Sequence, residues 1–504
     1  MTAPIFECAL PNPEYLIKSI AEQGYSLETS LADLIDNSIS AKADRVEILV
    51  GLESEPFTLY LADNGEGMDE ATLKSSMQFP SASPESKRDS SDLGRFGLGL
   101  KTASFSQARR FTVLSRKSGE EKYSGRTWDV DLLKDQPWKL LVNSDEEIDE
   151  ILSDYQNLSG RCINSFKKYS PNTIVIWVGL YKFENYLEEK NRQAALKKEL
   201  TEVTSEYLEL VFHRFMERNI DPLQIRINNL LLTPFNPFPT QERGFRSIED
   251  RQKSFGSDFI KIEGFVLPSR SISETKSQRT CWTTRNRSLM DMEGIYIYRL
   301  DRIILFGGWN GVIKKAPRLQ LARLRVEIGN SADHLLHLNV AKSKVIIPHD
   351  LVKAFEDYVD QLKIEAEREY YNRGIRTFTG AKTESAQLFS RVSTNKGTML
   401  EISTDYPVLE SLKRELDKDQ QAKLNVFIKL INTSVNKIRQ NHEDKAFVGL
   451  EKEDGLNIDT LLALVQGLRN DGVDPKIISK YILPDLGFKP DTLPSDLLNL
   501  LKEI

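Results

Sequence analysis

The first 180 residues alternate between two spacings of apolar side chains, one helical and one extended. A stripe with helical period predicts a helix over residues 27–40 and consists of Leu27, Leu31, Leu34 and Ile35. A further helix is predicted over residues 14–23, and apolar runs predict strands at residues 45–50, 57–62, 111–114, 128–132 and 173–178. Because helices and strands alternate along the chain, the pattern predicts a mixed α/β fold.

The pattern after residue 180 predicts a charged helical stretch, a second set of strands and a helical carboxy-terminal part. Helical spacing over residues 184–217 is followed by predicted strands at residues 224–232, 295–305, 324–328 and 345–347 and a helix over residues 349–371. Residues 376–398 are polar, with scattered glycine, serine and threonine. We therefore expect domains over residues 1–220 and 221–372, a linker over residues 373–402 and a helical domain over residues 403–504.

Three polar segments carry candidate chemistry. Asp33 and Asn37 are four residues apart on the helix over residues 27–40, so they project from the same face. Asp63 falls at the end of a predicted strand, and the glycines that follow it let the backbone approach a ligand closely. Residues 94–101, Gly-Arg-Phe-Gly-Leu-Gly-Leu-Lys, enter a helix whose free N–H groups and dipole favour phosphate. Each segment alone is typical of an ordinary turn, but together they predict a nucleotide site.

In this order the three segments resemble the Bergerat ATP-binding fold of the GHKL family. That family includes DNA gyrase B, the ninety-kilodalton heat-shock chaperone, histidine kinases, MutL mismatch-repair proteins and the MORC ATPases. The resemblance implies an α/β (α+β) ATPase sandwich over residues 1–220 and, as in the MORC and MutL branches, a transducer α/β domain over residues 221–372. It also implies ATP and Mg²⁺ as ligands and hydrolysis of ATP as the activity.

The resemblance implies roles for the acids and the amide of the first motif. Asn37 would place its side-chain oxygen on Mg²⁺, a hard ion that keeps several waters. Asp33 would polarise the attacking water, although the family usually has glutamate at this position; slow hydrolysis is expected, and binding without hydrolysis stays open. Asp36 is an alternative carboxylate, but it lies roughly 100° around the helix from Asn37, and we interpret it as an exposed acid.

The resemblance also assigns the nucleotide contacts. Asp63 would accept a hydrogen bond from the adenine amino group, which explains a preference for adenine over guanine. The other binding residues would be Gly65, Gly67, Met68, Gly94, Gly97, Leu98, Gly99, Lys101 and Thr173. A strand-start threonine without a ligand is an equally good interpretation of Thr173. The serine-rich stretch before Gly94 is interpreted as part of an ATP lid over about residues 78–104, with a plain surface loop as the alternative.

A pair of lysines in the second predicted domain offers one more phosphate contact. In the segment Asn-Val-Ala-Lys-Ser-Lys over residues 339–344, Lys342 resembles the transducer lysine that reaches the terminal phosphate. Lys344 is the alternative, and a solvated pair of lysines also stays open. A lysine on the terminal phosphate would report ATP versus ADP to the second domain.

The composition of the chain and its first residues bear on the cellular location that we expect. The 504 residues contain no apolar stretch long enough to cross a bilayer, and residues 1–10 lack a basic segment ahead of an apolar one, which argues against export. The three cysteines, Cys8, Cys162 and Cys281, are too few and too widely spaced to indicate a disulfide framework or a zinc site. We therefore expect a cytoplasmic protein that does not contact a membrane.

One segment is locally basic although the whole chain has a net charge of -6. Residues Arg270 to Arg325 are rich in lysine and arginine, and Trp282, Tyr296, Tyr298 and Trp309 are interleaved with them. Such a local excess can bind the phosphates of DNA, and it is equally typical of a solvated sheet edge.

The resemblance implies an ATP-gated homodimeric clamp that acts on DNA, in prokaryotic (antiviral) defence or repair, with carboxy-terminal helices available to partner proteins. Two alternatives stay open: a protein-binding chaperone or scaffold like the ninety-kilodalton heat-shock class, and an ATP sensor that does not hydrolyse its ligand. Salt-sensitive DNA binding that depends on the basic segment would separate the clamp from the chaperone.

Overall fold

The computed structural model describes residues 11–442, except 23, 54, 80–98, 186, 256–257, 277–280, 330–348, 379–387, 395–396 and 405, together with isolated residues beyond 442. The chain divides into two compact units, Met1–Tyr370 and Tyr371–Ile504. Helices and mixed sheets make up the first unit, so the prediction of a mixed α/β fold is confirmed.

Eight strands form the first sheet: β1 (Arg45–Gly51), β2 (Thr58–Asp63), β3 (Ala108–Ser115), β4 (Ser124–Asp129), β5 (Leu141–Val142), β6 (Thr173–Leu180), β7 (Gln224–Ile227) and β8 (Leu230–Leu231). Their order is β5-β4-β3-β6-β2-β1-β7-β8, and the only parallel pair along this order is β1 with β7. The expected boundary at residue 220 is therefore wrong, because β7 and β8 extend the first sheet. The strand predicted over residues 128–132 ends at Asp129, since Asp131–Lys134 form a 3-10 turn.

Nine described helices accompany this sheet: α1 (Pro13–Ala21), α2 (Leu27–Ser40), α3 (Glu70–Met77), α4 (Gly99–Phe105), α5 (Asp145–Gly160), α6 (Tyr181–Glu184), α7 (Glu189–Lys198), α8 (Ser205–Val211) and α9 (His213–Met216). A π-helical segment, Glu199–Thr204, joins α7 to α8. The charged stretch predicted as helical is helical over most of its length.

The two faces of the sheet are covered by different helices because side chains alternate along each strand. From β1, Val46, Ile48 and Val50 pack with the apolar stripe of α2, whereas Leu49 packs with the α5 side chains. The α2 stripe is buried as predicted, and each of its leucines contributes about 1.5–3 kcal/mol by leaving water. This burial fixes α2 on the sheet, so the position of its polar residues is fixed as well.

A second sheet contains β9 (Arg246–Ser247), β10 (Arg251–Phe255), β11 (Asp258–Val266), β12 (Gly294–Arg299), β13 (Arg302–Phe306) and β14 (Ala322–Ile328). Its order is β10-β11-β14-β12-β13, with β9 on β11. The short helices α10 (Ser271–Lys276) and α11 (Leu289–Met292) precede β12, and α12 (His349–Phe378) buries Tyr358, Val359 and Leu362 in the core of this sheet. The strands predicted at residues 295–305 and 324–328 are confirmed, the first stretch as the hairpin of β12 and β13, and the strand predicted at 345–347 lies outside the described residues.

The second unit begins within α12 and continues with a hairpin, β15 (Phe389–Thr394) and β16 (Gly397–Ile402), and two helices, α13 (Pro407–Glu415) and α14 (Lys418–His442). The side-chain oxygens of Asn432 and Asn436 on α14 accept hydrogen bonds from the backbone of β16, at 2.9 and 3.0 Å. The linker expected over residues 373–402 is therefore wrong in part, since it contains the end of α12 and this hairpin. Helices over 407–442 agree with the prediction, and most of residues 443–504 lie outside the described part.

Within the ranges described above, no helix is both long and apolar enough to span a membrane.

Candidate nucleotide-binding site

Three neighbouring strands of the first sheet bring polar side chains into one row. In the strand register, Asp63 at the end of β2 is opposite Thr173 at the start of β6, and Thr173 is opposite Ser115 at the end of β3. The hydroxyls of Ser115 and Thr173 lie 2.8 Å apart. Two of these residues were predicted to contact adenine, and the third was not.

Asp63 is a buried carboxylate with two protein donors. Its Oδ1 accepts the N–H of Gly65 at 2.9 Å, and its Oδ2 accepts the hydroxyl of Ser38 at 2.9 Å. Burial raises the pKa of Asp63 to about 6, although both hydrogen bonds act in the opposite direction. A carboxylate has about four acceptor positions, so the side chain retains capacity for a ligand donor such as an amino group.

The loop after Asp63 is held on three sides. The N–H of Met68 donates to Ser115 Oγ at 2.9 Å, and Asn172 Nδ2 donates to the carbonyl of Gly65 at 2.7 Å. A Cβ on Gly65 would lie 2.7 Å from the carbonyl oxygen of Ala41, which follows α2. Gly67 has φ +67°, and a Cβ there would lie 1.9 Å from the carbonyl oxygen of Arg116. Both glycines therefore permit contacts with the backbone that a side chain would block.

Replacing Gly67 with alanine is expected to destabilise the first unit by about 3 kcal/mol or more, since it adds a backbone clash to the left-handed strain of about 1–2 kcal/mol. Gly119→Ala is the matched control, because Gly119 has φ +90° and open space around its Cβ position. Thermal unfolding of the two variants measures the difference. Equal melting temperatures would show that the loop yields to the added methyl group.

The helix α2 carries the two residues predicted for hydrolysis and for magnesium. Asp33 is buried, and its Oδ2 accepts the hydroxyl of Tyr25 at 2.8 Å. The start of α4 approaches the same oxygen, since a Cβ on Gly99 would lie 3.9 Å from it. Burial and the nearby charge of Asp33 raise the pKa of Tyr25, so its hydroxyl remains a donor. Asn37, one turn further along α2, is exposed.

The structure corrects the interpretation of Asp36 as an exposed acid. Asp36 is 1% exposed, and its Oδ1 lies 2.7 Å from Nε of Arg302, the first residue of β13. Arg302 Nη2 also lies 3.7 Å from Asp33 Oδ1. The second sheet therefore covers the side of α2 that carries Asp36. Helical spacing within α2 could not reveal this contact.

Asn37 fits a magnesium ion that arrives with a nucleotide. Its amide supplies one neutral oxygen at the exposed end of α2, next to Ser38, which binds Asp63. Mg²⁺ bound to a triphosphate commonly takes only one or two protein ligands and fills its remaining positions with phosphate oxygens and water. The exposed amide of Asn37, between the buried side chains of Asp33 and Asp63, meets that requirement.

Among the predicted phosphate contacts, Lys101 makes a different interaction and several others lie outside the described residues. Lys101 is buried and donates to the carbonyl of Ser76 at the end of α3 at 2.7 Å; burial lowers its pKa to about 8. Its ammonium group thus interacts with the carboxy terminus of a helix, a favourable place for a cation. Lys342 and Lys344 lie outside the described residues, as do Gly94, Gly97 and Leu98 and most of the expected lid.

Sequence reasoning missed five residues that complete the site: Tyr25, Ser38, Ser115, Asn172 and Arg302. Ser38 follows Asn37 directly, and its position on the buried face of α2 was a usable signal. Asn172 and Ser115 adjoin strand ends, but only the strand register shows that they meet. Nothing local points to Tyr25 or to Arg302.

The aromatic residues of the basic segment are not available to stack on DNA bases. Trp282, Tyr296, Tyr298 and Trp309 are at most 2% exposed, because they pack in the hydrophobic clusters in and around the second sheet. Among the arginines, Arg302 and Arg323 are buried as well. The cations of this segment that reach solvent include Lys276, Arg285, Lys314 and Lys315, so DNA binding here would depend on charge alone.

Comparison with known proteins agrees with this geometry. Residues 25–159, which run from Tyr25 through α5, match the family described as histidine kinase-, DNA gyrase B- and HSP90-like ATPase. A stretch of 91 residues, 18% of this chain, is 33% identical to ATPase MORC2B of Mus musculus and spans 9% of that protein. The chain thus covers less than a tenth of this relative's length. Residues 25–159 are therefore similar to the ATPase domain of the GHKL family.

Proposed function

We propose that this chain binds Mg²⁺-ATP on the face of the first sheet covered by α2 and hydrolyses it slowly. One observation carries the proposal: α2 joins all three parts of the site. Ser38 binds the adenine acceptor Asp63, Asn37 is exposed beside it, and Asp33 lies one turn earlier against the start of α4. A single rigid helix would therefore set the distances between adenine, magnesium and the hydrolytic acid.

Asp33 would accept a proton from the attacking water. Its Oδ2 already accepts the Tyr25 hydroxyl, which orients the carboxylate. Phosphoryl transfer depends mainly on positioning and on charge stabilisation. An acid one methylene shorter than glutamate can serve if it is held in place, and the contacts of Asp33 hold it.

The remaining roles follow the family. Asp63 would accept the adenine amino group, with Thr173 and the loop from Gly65 to Met68 beside it. The glycine-rich segment up to Gly99 would wrap the phosphates, and Lys342, with Lys344 as the alternative, would reach the terminal phosphate. ATP would order the lid over about residues 78–104 and bring two chains together as a homodimeric clamp.

DNA is the proposed client of the clamp. The similarity to a MORC ATPase and the exposed lysines and arginines of the second sheet support it. Because the interleaved aromatics are buried, we expect binding to be independent of sequence and to weaken steeply with salt. A role in prokaryotic defence or repair rests on the family alone.

The experiment compares the wild-type protein with Asn37→Ala. Phosphate release, nucleotide binding and molar mass by light scattering are recorded with ATP, and retention of circular DNA is recorded at low and high salt. We expect slow turnover, ATP-dependent dimers and salt-sensitive retention for wild type. Asn37→Ala should lose turnover by at least about 10-fold, while its affinity for metal-free nucleotide in chelator stays unchanged.

Each outcome decides a separate part of the proposal. Turnover without dimers would remove the clamp, and dimers that bind client proteins but not DNA would favour the chaperone alternative. Saturable binding of ATP without turnover would favour the sensor. If Asn37→Ala behaves as wild type with and without magnesium, the assigned metal ligand is wrong.

A further inference from the structure

Arg302 brings the second sheet into contact with the acids of α2. It is the first residue of β13 and is 3% exposed. Its Nε lies 2.7 Å from Asp36 Oδ1, and its Nη2 lies 3.7 Å from Asp33 Oδ1. The two acids are three residues apart on one helix, and both are buried. One guanidinium therefore faces two carboxylates.

The charges require this arrangement. Two buried carboxylates on adjacent turns repel each other, and a cation beside both of them offsets that repulsion. Burial alone would lower the pKa of Arg302, but the charges of Asp36 and Asp33 raise it above its ordinary value, so the cation persists. Asp33 is thus held between two groups: Tyr25 on Oδ2 and Arg302 near Oδ1.

The backbone before Arg302 has a conformation that few residues adopt. Leu300 and Asp301, the turn between β12 and β13, have φ +47° and +69°. Such a pair of left-handed residues is normal for a tight hairpin, but glycine or asparagine usually occupies it. Leu300 packs on the core of the first sheet, and Asp301 lies 3.4 Å from Arg214 and 3.3 Å from Arg218. The hairpin tip is therefore held against the ATPase domain, and Arg302 follows it directly.

We propose that Arg302 is a positioning residue for hydrolysis: anchored on Asp36, it orients Asp33 for its role as the acceptor of the water proton. The inference rests on the proposed function and goes beyond it, since it assigns part of the hydrolytic site to the second sheet. A shift of the β12–β13 hairpin would then change the rate of hydrolysis without a change in the adenine or phosphate contacts.

The chain contains a matched control for the loss of this arginine. Arg226 on β7 is fully buried and paired with Glu47, and Glu47 Oε2 accepts the hydroxyl of Tyr155 at 2.7 Å. This is the same set of groups, a tyrosine, a carboxylate and an arginine, but on the face of the sheet that packs with α5. Arg226→Met removes a buried cation from the face of the sheet opposite to α2.

The experiment measures kcat, ATP affinity and melting temperature for wild type, Arg302→Met, Arg302→Lys and Arg226→Met. We expect kcat to fall about 100-fold in Arg302→Met and about 10-fold in Arg302→Lys, which keeps the charge but not the planar fork. ATP affinity should stay within about threefold, which separates loss of positioning from loss of binding. Arg226→Met should lose thermal stability but keep kcat within about twofold.

Three results would overturn the inference. The first is a wild-type kcat in both Arg302→Lys and folded Arg302→Met. If Arg302→Met does not fold, a wild-type kcat in Arg302→Lys alone overturns the inference. Equal losses of kcat in the Arg302 and Arg226 variants would reduce Arg302 to a structural role. Absence of turnover in wild type would instead remove the proposed function, and the role of Arg302 with it.

Discussion

Asp33→Asn is expected to lower the rate of ATP hydrolysis by at least about 100-fold while ATP binding is retained. The amide has nearly the shape of the carboxylate, so its oxygen can still accept the Tyr25 hydroxyl that now lies 2.8 Å from Oδ2. It cannot accept the proton of the attacking water, because an amide is not a base at neutral pH. Phosphate release under single-turnover conditions, together with equilibrium binding of ATP, measures both effects.

The contrast with wild type decides whether this chain is an enzyme. If wild type releases phosphate no faster than Asp33→Asn although both bind ATP, the hydrolysis claim fails and the ATP sensor replaces it. If Asp33→Asn turns over at the wild-type rate, another group accepts the proton. Melting temperatures are needed as a control, since the substitution removes one of the two negative charges that Asp33 and Asp36 place beside Arg302.

The second large effect is a preference for ATP over purine riboside triphosphate, which lacks only the 6-amino group. We expect at least about 10-fold tighter binding of ATP at pH 8, because a buried acceptor left unpaired is costly. The pKa of Asp63 is raised to about 6, so the carboxylate is ionised at pH 8 and mostly protonated at pH 5. The preference should therefore shrink as the pH falls through about 6.

Both ligands carry the same triphosphate, so titration of the phosphates cancels in the ratio of their affinities. Asp63→Ala is the control, and the two nucleotides should bind it equally at every pH. A preference that does not change between pH 8 and pH 5 would mean that the ionised form of Asp63 is not the acceptor. If Asp63→Ala still binds ATP more tightly than purine riboside triphosphate, the adenine amino group contacts another residue.

Local patterns in the sequence predicted the elements around the site because those elements depend on neighbouring residues. The apolar stripe of α2 needs only helical spacing, and the strand that ends at Asp63 needs only a short apolar run and two glycines. The parallel pairing of β1 with β7 joins residues 45–48 to 224–227, and no local pattern encodes it. The wrong boundary at residue 220 follows from that limit.

The same limit explains where the structure differs from the local interpretation of the site. Asp36 was interpreted as exposed because its helical position was compared only with Asn37, whereas Arg302 covers it from another sheet. Lys101 was assigned to phosphate from its place after the glycines, but its side chain extends to the end of α3. The burial of Tyr296 and Tyr298 was predictable, since the run Ile-Tyr-Ile-Tyr on β12 is apolar at every position, as in strands covered on both faces.

A crystal structure with Mg²⁺ and a non-hydrolysable β,γ-imido analogue of ATP would test the central claim most directly. We expect the adenine amino group within hydrogen-bond distance of Asp63, Mg²⁺ on the side-chain oxygen of Asn37, and the terminal phosphate next to Asp33. A nucleotide bound elsewhere, or bound here with its adenine away from Asp63, would contradict the account.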